Sequence, residues 1–183
     1  DFSGNYQTAW TLHKLSAAGQ WEGSVNTGLP KGAVSIVTSP NGKMYAQGFQ
    51  WVNNNGVTTV HELDGNSGKL ANAAAFVGTI GNYPSMVGVD ASEALYFVVD
   101  KKLYRSAADG TAQLLLDVSY GPVAISADGS TVYYASGKTL AIHTLQTATT
   151  VSVDMGASIS RLSSMTGGVA VATVTGDMMD CEM

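Results

Sequence analysis

Apolar and polar residues alternate along the chain in short runs, each closed by glycine, asparagine, aspartate or proline, which is the pattern of strands joined by tight turns. Four runs fit one template. They are Val34-Ser35-Ile36-Val37 before Pro40-Asn41-Gly42, Met86-Val87-Gly88-Val89 before Ala91-Ser92-Glu93, Val123-Ala124-Ile125-Ser126 before Ala127-Asp128-Gly129, and Ile159-Ser160-Arg161-Leu162 before Thr166-Gly167-Gly168. Each is followed by a further β-type run. The third repeat sets the register: strands over Val123 to Ser126, Thr131 to Ala135, Thr139 to Leu145 and Thr150 to Val153, with Asp128-Gly129 supplying the positive φ of a short turn. The second repeat follows it over Met86 to Asp90, Ala94 to Val99, Lys102 to Ser106 and Ala112 to Asp117. The first runs from Ala33 through Met44 to Gln50 and Val57 to Leu63, ending near Ala73 to Val77.

The turn position recurs at Gly42, Glu93, Gly129 and Gly168, in steps of 51, 36 and 39 residues. A period of about 40 to 50 residues with four strands in each unit is that of a β-propeller blade. The expected fold is therefore all-β: one domain over residues 1–183 with a C-terminal tail at 177–183, and about four blades of four antiparallel strands. The ends are incomplete in complementary ways. Thr8 to Leu15 and Ala17 to Val25 match only the third and fourth strands of a blade, whereas Ile159 to Ser163 and Val169 to Thr175 match only the first and second. A last blade built from both termini removes two exposed sheet edges, and places Tyr6 and Thr175 on neighbouring strands. The alternative is part of a larger ring completed by another chain. Small residues near the axis of a tight ring are supplied by Gly32, Ala33, Gly88, Gly121, Gly156 and Ala157.

Composition agrees with this reading. In 183 residues there are 21 glycines and only 4 prolines, and charged residues make up 13% of the chain, so Ser, Thr, Asn, Gln and Gly must solvate much of the surface. The net charge of −5 and 9 scattered Lys and Arg residues argue against nucleic-acid binding, which needs several phosphates neutralised at once. The longest near-apolar stretch, Leu70 to Ile80, is too short to span a bilayer, so no membrane span is expected. The chain opens at Asp1 with no hydrophobic leader, which fits a processed or a trimmed chain. With the low charge, the expectation is an extracellular or otherwise extracytoplasmic protein. A single cysteine, Cys181, excludes an internal disulfide and multi-cysteine metal sites, and leaves a link to a second chain as one of its roles.

The run from Leu95 to Thr111, with its aromatic strand, Tyr104-Arg105 and Asp109-Gly110-Thr111, resembles the YWTD and NHL propeller repeats. Ala124 to Tyr134 is similar to YVTN and gluconolactonase-like repeats. The resemblance implies the propeller architecture and no single activity, because these families include receptors, scaffolds, hydrolases and lyases.

No catalytic constellation follows from the residues. His13, His61 and His143 occupy one third-strand position in different repeats, with Tyr104 at the fourth equivalent site, so an aromatic packing position between blades is expected rather than a shared metal or triad. The segments leading into the first strands carry one carboxylate, Asp154, and one side-chain amide, Asn82, too few oxygen ligands for a lactonase-type divalent ion. Asp64, Asp109 and Asp128 read as turn formers, and Asn53-Asn54-Asn55-Gly56 as a hairpin connection. No cofactor and no metal are expected. The loops that converge at one end of the ring bring Lys31, Asn82, Tyr83, Tyr120 and Asp154 together as the candidate binding residues. The expected function is a non-enzymatic binding or assembly module for a protein or glycan partner, with self-association through Cys181 or exposed sheet edges. The alternative is a gluconolactonase-like metal-dependent hydrolase.

Overall fold

A computed structural model describes residues 11–15, 18–26, 33–65, 67–107, 109–165 and 167–174. Among them are sixteen strands and no helix. β1 (Thr11–Leu15) and β2 (Trp21–Asn26) form a hairpin of their own. The first four-stranded sheet contains β3 (Ala33–Thr38), β4 (Met44–Val52), β5 (Asn55–Leu63) and β6 (Leu70–Gly78). The second contains β7 (Ser85–Val89), β8 (Leu95–Val99), β9 (Lys102–Ser106) and β10 (Ala112–Asp117). The third contains β11 (Val123–Ile125), β12 (Thr131–Ser136), β13 (Thr139–Thr144) and β14 (Thr149–Asp154). β15 (Ser158–Met165) and β16 (Gly168–Val174) close the described chain as a second hairpin. All pairing is antiparallel, and each four-stranded sheet is a meander in chain order.

The turns explain the register. The turns between the first and second strands place Gly42, Glu93, Gly129 and Gly167 at φ 80°, 66°, 72° and 81°, so Glu93 holds the left-handed backbone that glycine holds in the other repeats. In the last repeat the residue concerned is Gly167 and not Gly168, which already belongs to β16. Between β4 and β5, Val52 pairs with Asn55 around Asn53 and Asn54, at φ 49° and 63°. Between β8 and β9, Val99 pairs with Lys102 around Asp100 and Lys101, at φ 48° and 64°. Two consecutive left-handed residues match the right-handed twist of the flanking strands.

The sheets stack in chain order with a hydrophobic layer between each pair. Tyr45, Val60, Phe76, Met86 and Phe97 fill the space between the first and second sheets, with the Phe76 and Phe97 rings 5.2 Å apart. Tyr96, Leu103, Ile125 and Val132 fill the next layer, and Ala124, Ala135, Leu140, Ile159 and Leu162 join the third sheet to the β15–β16 hairpin. In the turn between β5 and β6, a Cβ at Gly68 would lie 3.3 Å from Leu12, so the β1–β2 hairpin lies against that turn. The first strands β3, β7, β11 and β15 lie side by side in that order. At Gly88 a Cβ would stand 3.3 Å from Ile125 of the next sheet, a close approach that a small residue permits, and one at Gly121 would collide with the Ala135 carbonyl. Gly156 has open space around its Cβ position.

The chain does not join its two end hairpins among the described residues: β1 pairs only with β2, and β15 only with β16. Tyr6, Thr175 and the 177–183 tail lie outside the described residues.

Candidate functional site

The expected binding residues belong to the end at which the first strands begin. Lys31 lies outside the described residues. Asn82 and Tyr83 sit on the segment leading into β7, both exposed, with Tyr83 exposed by 69%. Its backbone adopts φ 51°, uncommon for an aromatic residue, where the following Pro84 disfavours the right-handed helical region. Pro84 is fixed in turn, because its carbonyl accepts a 2.6 Å hydrogen bond from Gln47 Nε2. The Tyr83 ring is thereby held outward against the first sheet, 5.0 Å from the Phe49 ring and 6.2 Å, edge on, from that of Trp51. Trp51 itself stands 5.6 Å from Phe49 in a T-shaped contact.

These contacts make a platform that the sequence reading did not contain. Phe49 is buried, whereas Trp51 is exposed by 51%. Phe49 anchors the pair because Gly56, the cross-strand partner of Trp51 on β5, leaves room for the Phe49 ring: a Cβ there would lie 2.7 Å from Phe49 Cζ. Asn53 and Asn54 form the hairpin tip beside Trp51, and Asn82 precedes Tyr83, so exposed side-chain amides flank the aromatic faces along the chain. The signal available in the sequence was the alternation Phe49-Gln50-Trp51 running into an Asn-Asn turn, which places both rings on one face of a strand.

Tyr120 is separate from this platform. It is exposed by 86%, and the Lys101 ammonium lies 3.8 Å from its ring centroid, a cation–π contact from the hairpin of the second sheet. Asp154 ends β14, and its carboxylate accepts a 2.9 Å hydrogen bond from the Gly156 backbone N–H, as in an Asx turn. The structure thus joins Tyr83 to Trp51 and Tyr120 to Lys101. The tyrosine rings make no contact with each other among the described residues.

The three histidines do not come together as a metal site, and each makes a hydrogen bond within its own sheet. His13 Nδ1 bonds Ser24 Oγ at 3.1 Å, His61 Nδ1 bonds the Ala71 carbonyl at 3.3 Å, and His143 Nδ1 bonds Thr150 Oγ1 at 2.8 Å. Each thereby bonds to the neighbouring strand of its own sheet, and the His13 ring also lies 5.1 Å from that of Trp21. Tyr104, at the equivalent position, does pack against the core between the first and second sheets. Among the described residues no group of three His, Cys, Asp or Glu side chains is placed to hold a metal ion.

One buried carboxylate has the environment of a catalytic group but is fully used. Asp90 Oδ1 accepts from the Ser92 N–H, the Ser92 hydroxyl and the Ala94 N–H at 2.8, 2.6 and 3.1 Å. Its Oδ2 accepts from the Tyr96 hydroxyl at 2.8 Å and from Arg105 at 3.2 Å. Burial pushes its pKa up, but the Ser92, Tyr96, Ala94 and Arg105 interactions outweigh it and hold the carboxyl below its ordinary range. The same burial and the Asp90 charge push the Tyr96 phenol well up. Asp90 is a turn cap with no free lone pair for a substrate.

At the opposite end of the first strands, a cavity of about 550 Å³ is lined by the C-terminal halves of β3, β7, β11 and β15 and the turns that follow β3 and β11. None of Asn82, Tyr83, Tyr120 and Asp154 lines it. Compared with known families and with curated proteins, the chain matches no family model and no curated protein.

Among the described residues there is no helix long and apolar enough to cross a membrane.

Proposed function

We propose that this chain is a non-enzymatic binding module of β-propeller type, with about four blades, that recognises a glycan outside the cytosol through the Trp51–Tyr83 platform. The observation that carries the reading is the platform itself: two exposed rings locked at an angle over a buried Phe49, beside Asn53, Asn54 and Asn82. Rigid aromatic faces offer apolar area at little entropic cost, and amides supply both donors and acceptors for hydroxyl groups. The propeller reading is supported by the meander order of the sheets and by the gathering of all four first strands around one cavity. β3 and β15 belong to units separated by two whole sheets and yet line the same space, as they would if the units curve around a common axis and a last blade is shared by the termini. The kinship with YWTD, NHL, YVTN and gluconolactonase-like repeats belongs to the same proposal.

Binding of the full chain to a panel of immobilised glycans, repeated with Trp51→Ala and Tyr83→Ala, tests it. Each truncation of an aromatic anchor is expected to weaken a bound glycan by about tenfold or more, with the melting temperature held, since both rings stand outside the core. A glycan that binds the double variant with unaltered affinity, or a panel with no binder beside a protein partner that needs Trp51, overturns the reading.

A further inference from the structure

The geometry of the Trp51–Tyr83 platform narrows what can lie on it. The two ring planes stand 78° apart with their centroids 6.2 Å apart, so no single flat face of a ligand can rest on both rings. Their neighbours hold them in that relation. Phe49, itself buried, stands against both, 5.6 Å from Trp51 at 81° and 5.0 Å from Tyr83 at 43°. The backbone beside each ring is fixed as well: Val52 pairs with Asn55 after Trp51, and the Pro84 carbonyl after Tyr83 is bonded by Gln47. Charge is missing from the same segments. No residue from Gln47 to Val60 or from Gly78 to Val89 carries one at neutral pH, and the cation of the neighbouring hairpin, Lys101, lies over Tyr120. Exposed amides at Asn53, Asn54 and Asn82 supply uncharged donors and acceptors instead.

An extended chain of linked sugars presents successive faces in nearly parallel planes, and is matched by aromatic rings that share a plane. Two rings nearly at right angles make a corner instead. A corner takes one pyranose, whose apolar C–H face lies on the electron-rich face of one ring while its edge meets the other. Amides suit its hydroxyl groups, which both donate and accept, whereas an acidic sugar would lose hydration with no cation on these segments to receive it. We infer that the platform recognises a single neutral pyranose at the end or branch tip of a glycan, and not an internal stretch of a linear chain or an acidic sugar. The inference rests on the glycan reading of the platform and adds to it which part of a glycan is held.

The probes are the methyl glycosides of glucose, galactose, mannose and N-acetylglucosamine in both anomeric forms, with cellohexaose, maltohexaose, mannohexaose and chitohexaose as the linear chains. Each is titrated into the full chain while the indole N–H resonance of Trp51 is followed. A methyl glycoside is expected to shift that resonance, and a hexasaccharide of the same sugar to bind within about threefold of it, because a longer chain brings no second stacked residue. Raising sodium chloride from about 50 mM to about 500 mM should leave the affinity within about twofold, since there is no charge pair to screen. Trp51→Ala and Tyr83→Ala should each weaken the glycoside by about tenfold or more. A hexasaccharide about tenfold or more tighter than every methyl glycoside, a loss of about fivefold or more in salt, or no response of Trp51 to any methyl glycoside overturns this inference. Each of those results leaves the platform itself standing if immobilised glycans still bind in a way that needs Trp51 and Tyr83. A glycoside that binds the double variant with unaltered affinity overturns the platform reading, and this inference with it.

Discussion

The contact between the first and second sheets and the contact between the third sheet and the β15–β16 hairpin are built from the same repeat, yet they differ in what fills them. The former holds Tyr45, Phe76 and Phe97 together with Gln47, which is completely buried. The latter holds two alanines and three branched aliphatic residues. Polar bridging differs in the same sense. Gln47 Oε1 accepts from the Met86 N–H at 2.7 Å and from Ser35 Oγ at 3.0 Å while its Nε2 donates to Pro84, and Asn41, reaching the Ala91 carbonyl at 3.0 Å, adds a bond between the turns. At the other contact the Ile159 N–H donates to the Gly137 carbonyl at 2.9 Å and Ser164 to Ile125. Repeat equivalence fixes where a strand lies; the size of the side chains decides how firmly two sheets are joined.

The sharpest way to break the comparison is to empty one layer at a time. Phe97→Ala removes a ring that is 0% exposed, and is expected to cost about 3 to 5 kcal/mol. Leu162→Ala, in the thinner layer and 7% exposed, should cost about 2 to 3 kcal/mol. Urea midpoints of the two variants check the order, and equal losses would mean that the two layers are equally packed.

A smaller but more specific effect is expected at Gln47. Gln47→Leu keeps the volume and removes the polar bridge, leaving the Met86 N–H and Pro84 carbonyl buried without their partner, for a cost of roughly 2 to 4 kcal/mol. It also releases the segment that holds Tyr83 outward, so affinity for the proposed glycan should fall with stability, which Phe49-distant core variants such as Leu162→Ala should not cause. Amide exchange at Met86 reports the bridge directly; unaltered protection there would show that the segment is held by something else.

What the sequence discloses, and what it hides, follows the same division. Turn chemistry is local, so the glycines and Asx residues locate the hairpins, and β9 and β10 begin and end where the alternation and the Asp109-Gly110 turn place them. Glu93 fits the template through its sequence position alone and takes the left-handed backbone of the glycines. Contacts between sheets are not local. Nothing in the run Met44-Tyr45-Ala46-Gln47 distinguishes a glutamine that bridges two sheets from one that solvates a strand, and the expected cluster of Tyr83 with Tyr120 fails to form because each ring is claimed by the sheet before it. The cavity among the first strands is hidden for the same reason: its lining comes from β3, β7, β11 and β15, which are far apart in the sequence.

The least disruptive probe is acid, which weakens the turns that join neighbouring sheets without altering a residue. Asp90 belongs to the turn of the second sheet, and the third sheet's turn sits directly on it: the Ala91 N–H donates to the Ala127 carbonyl at 2.7 Å, and a Cβ at Gly129 would come within 2.5 Å of Asp90 Oδ2. The Asp90 carboxyl is held below its ordinary value of 3.8 in the folded state, and that of Asp128, which accepts from Ser126 and Ser130, is lowered to about 2. A folded-state pKa below the unfolded one means that the unfolded chain binds the proton more readily. The stabilisation is therefore complete above about pH 4 and is lost as the pH falls through the folded values. Urea midpoints should be flat from about pH 7 to about pH 5 as far as these two groups are concerned, and decline steadily towards about pH 2. Asp90→Asn should start from a lower midpoint at neutral pH, since Tyr96 and Arg105 lose their anionic partner, and should decline less in acid. If the variant and the natural chain lose stability in parallel below pH 4, the acid sensitivity resides in other carboxylates and the joint between the second and third sheets does not depend on the charge of Asp90.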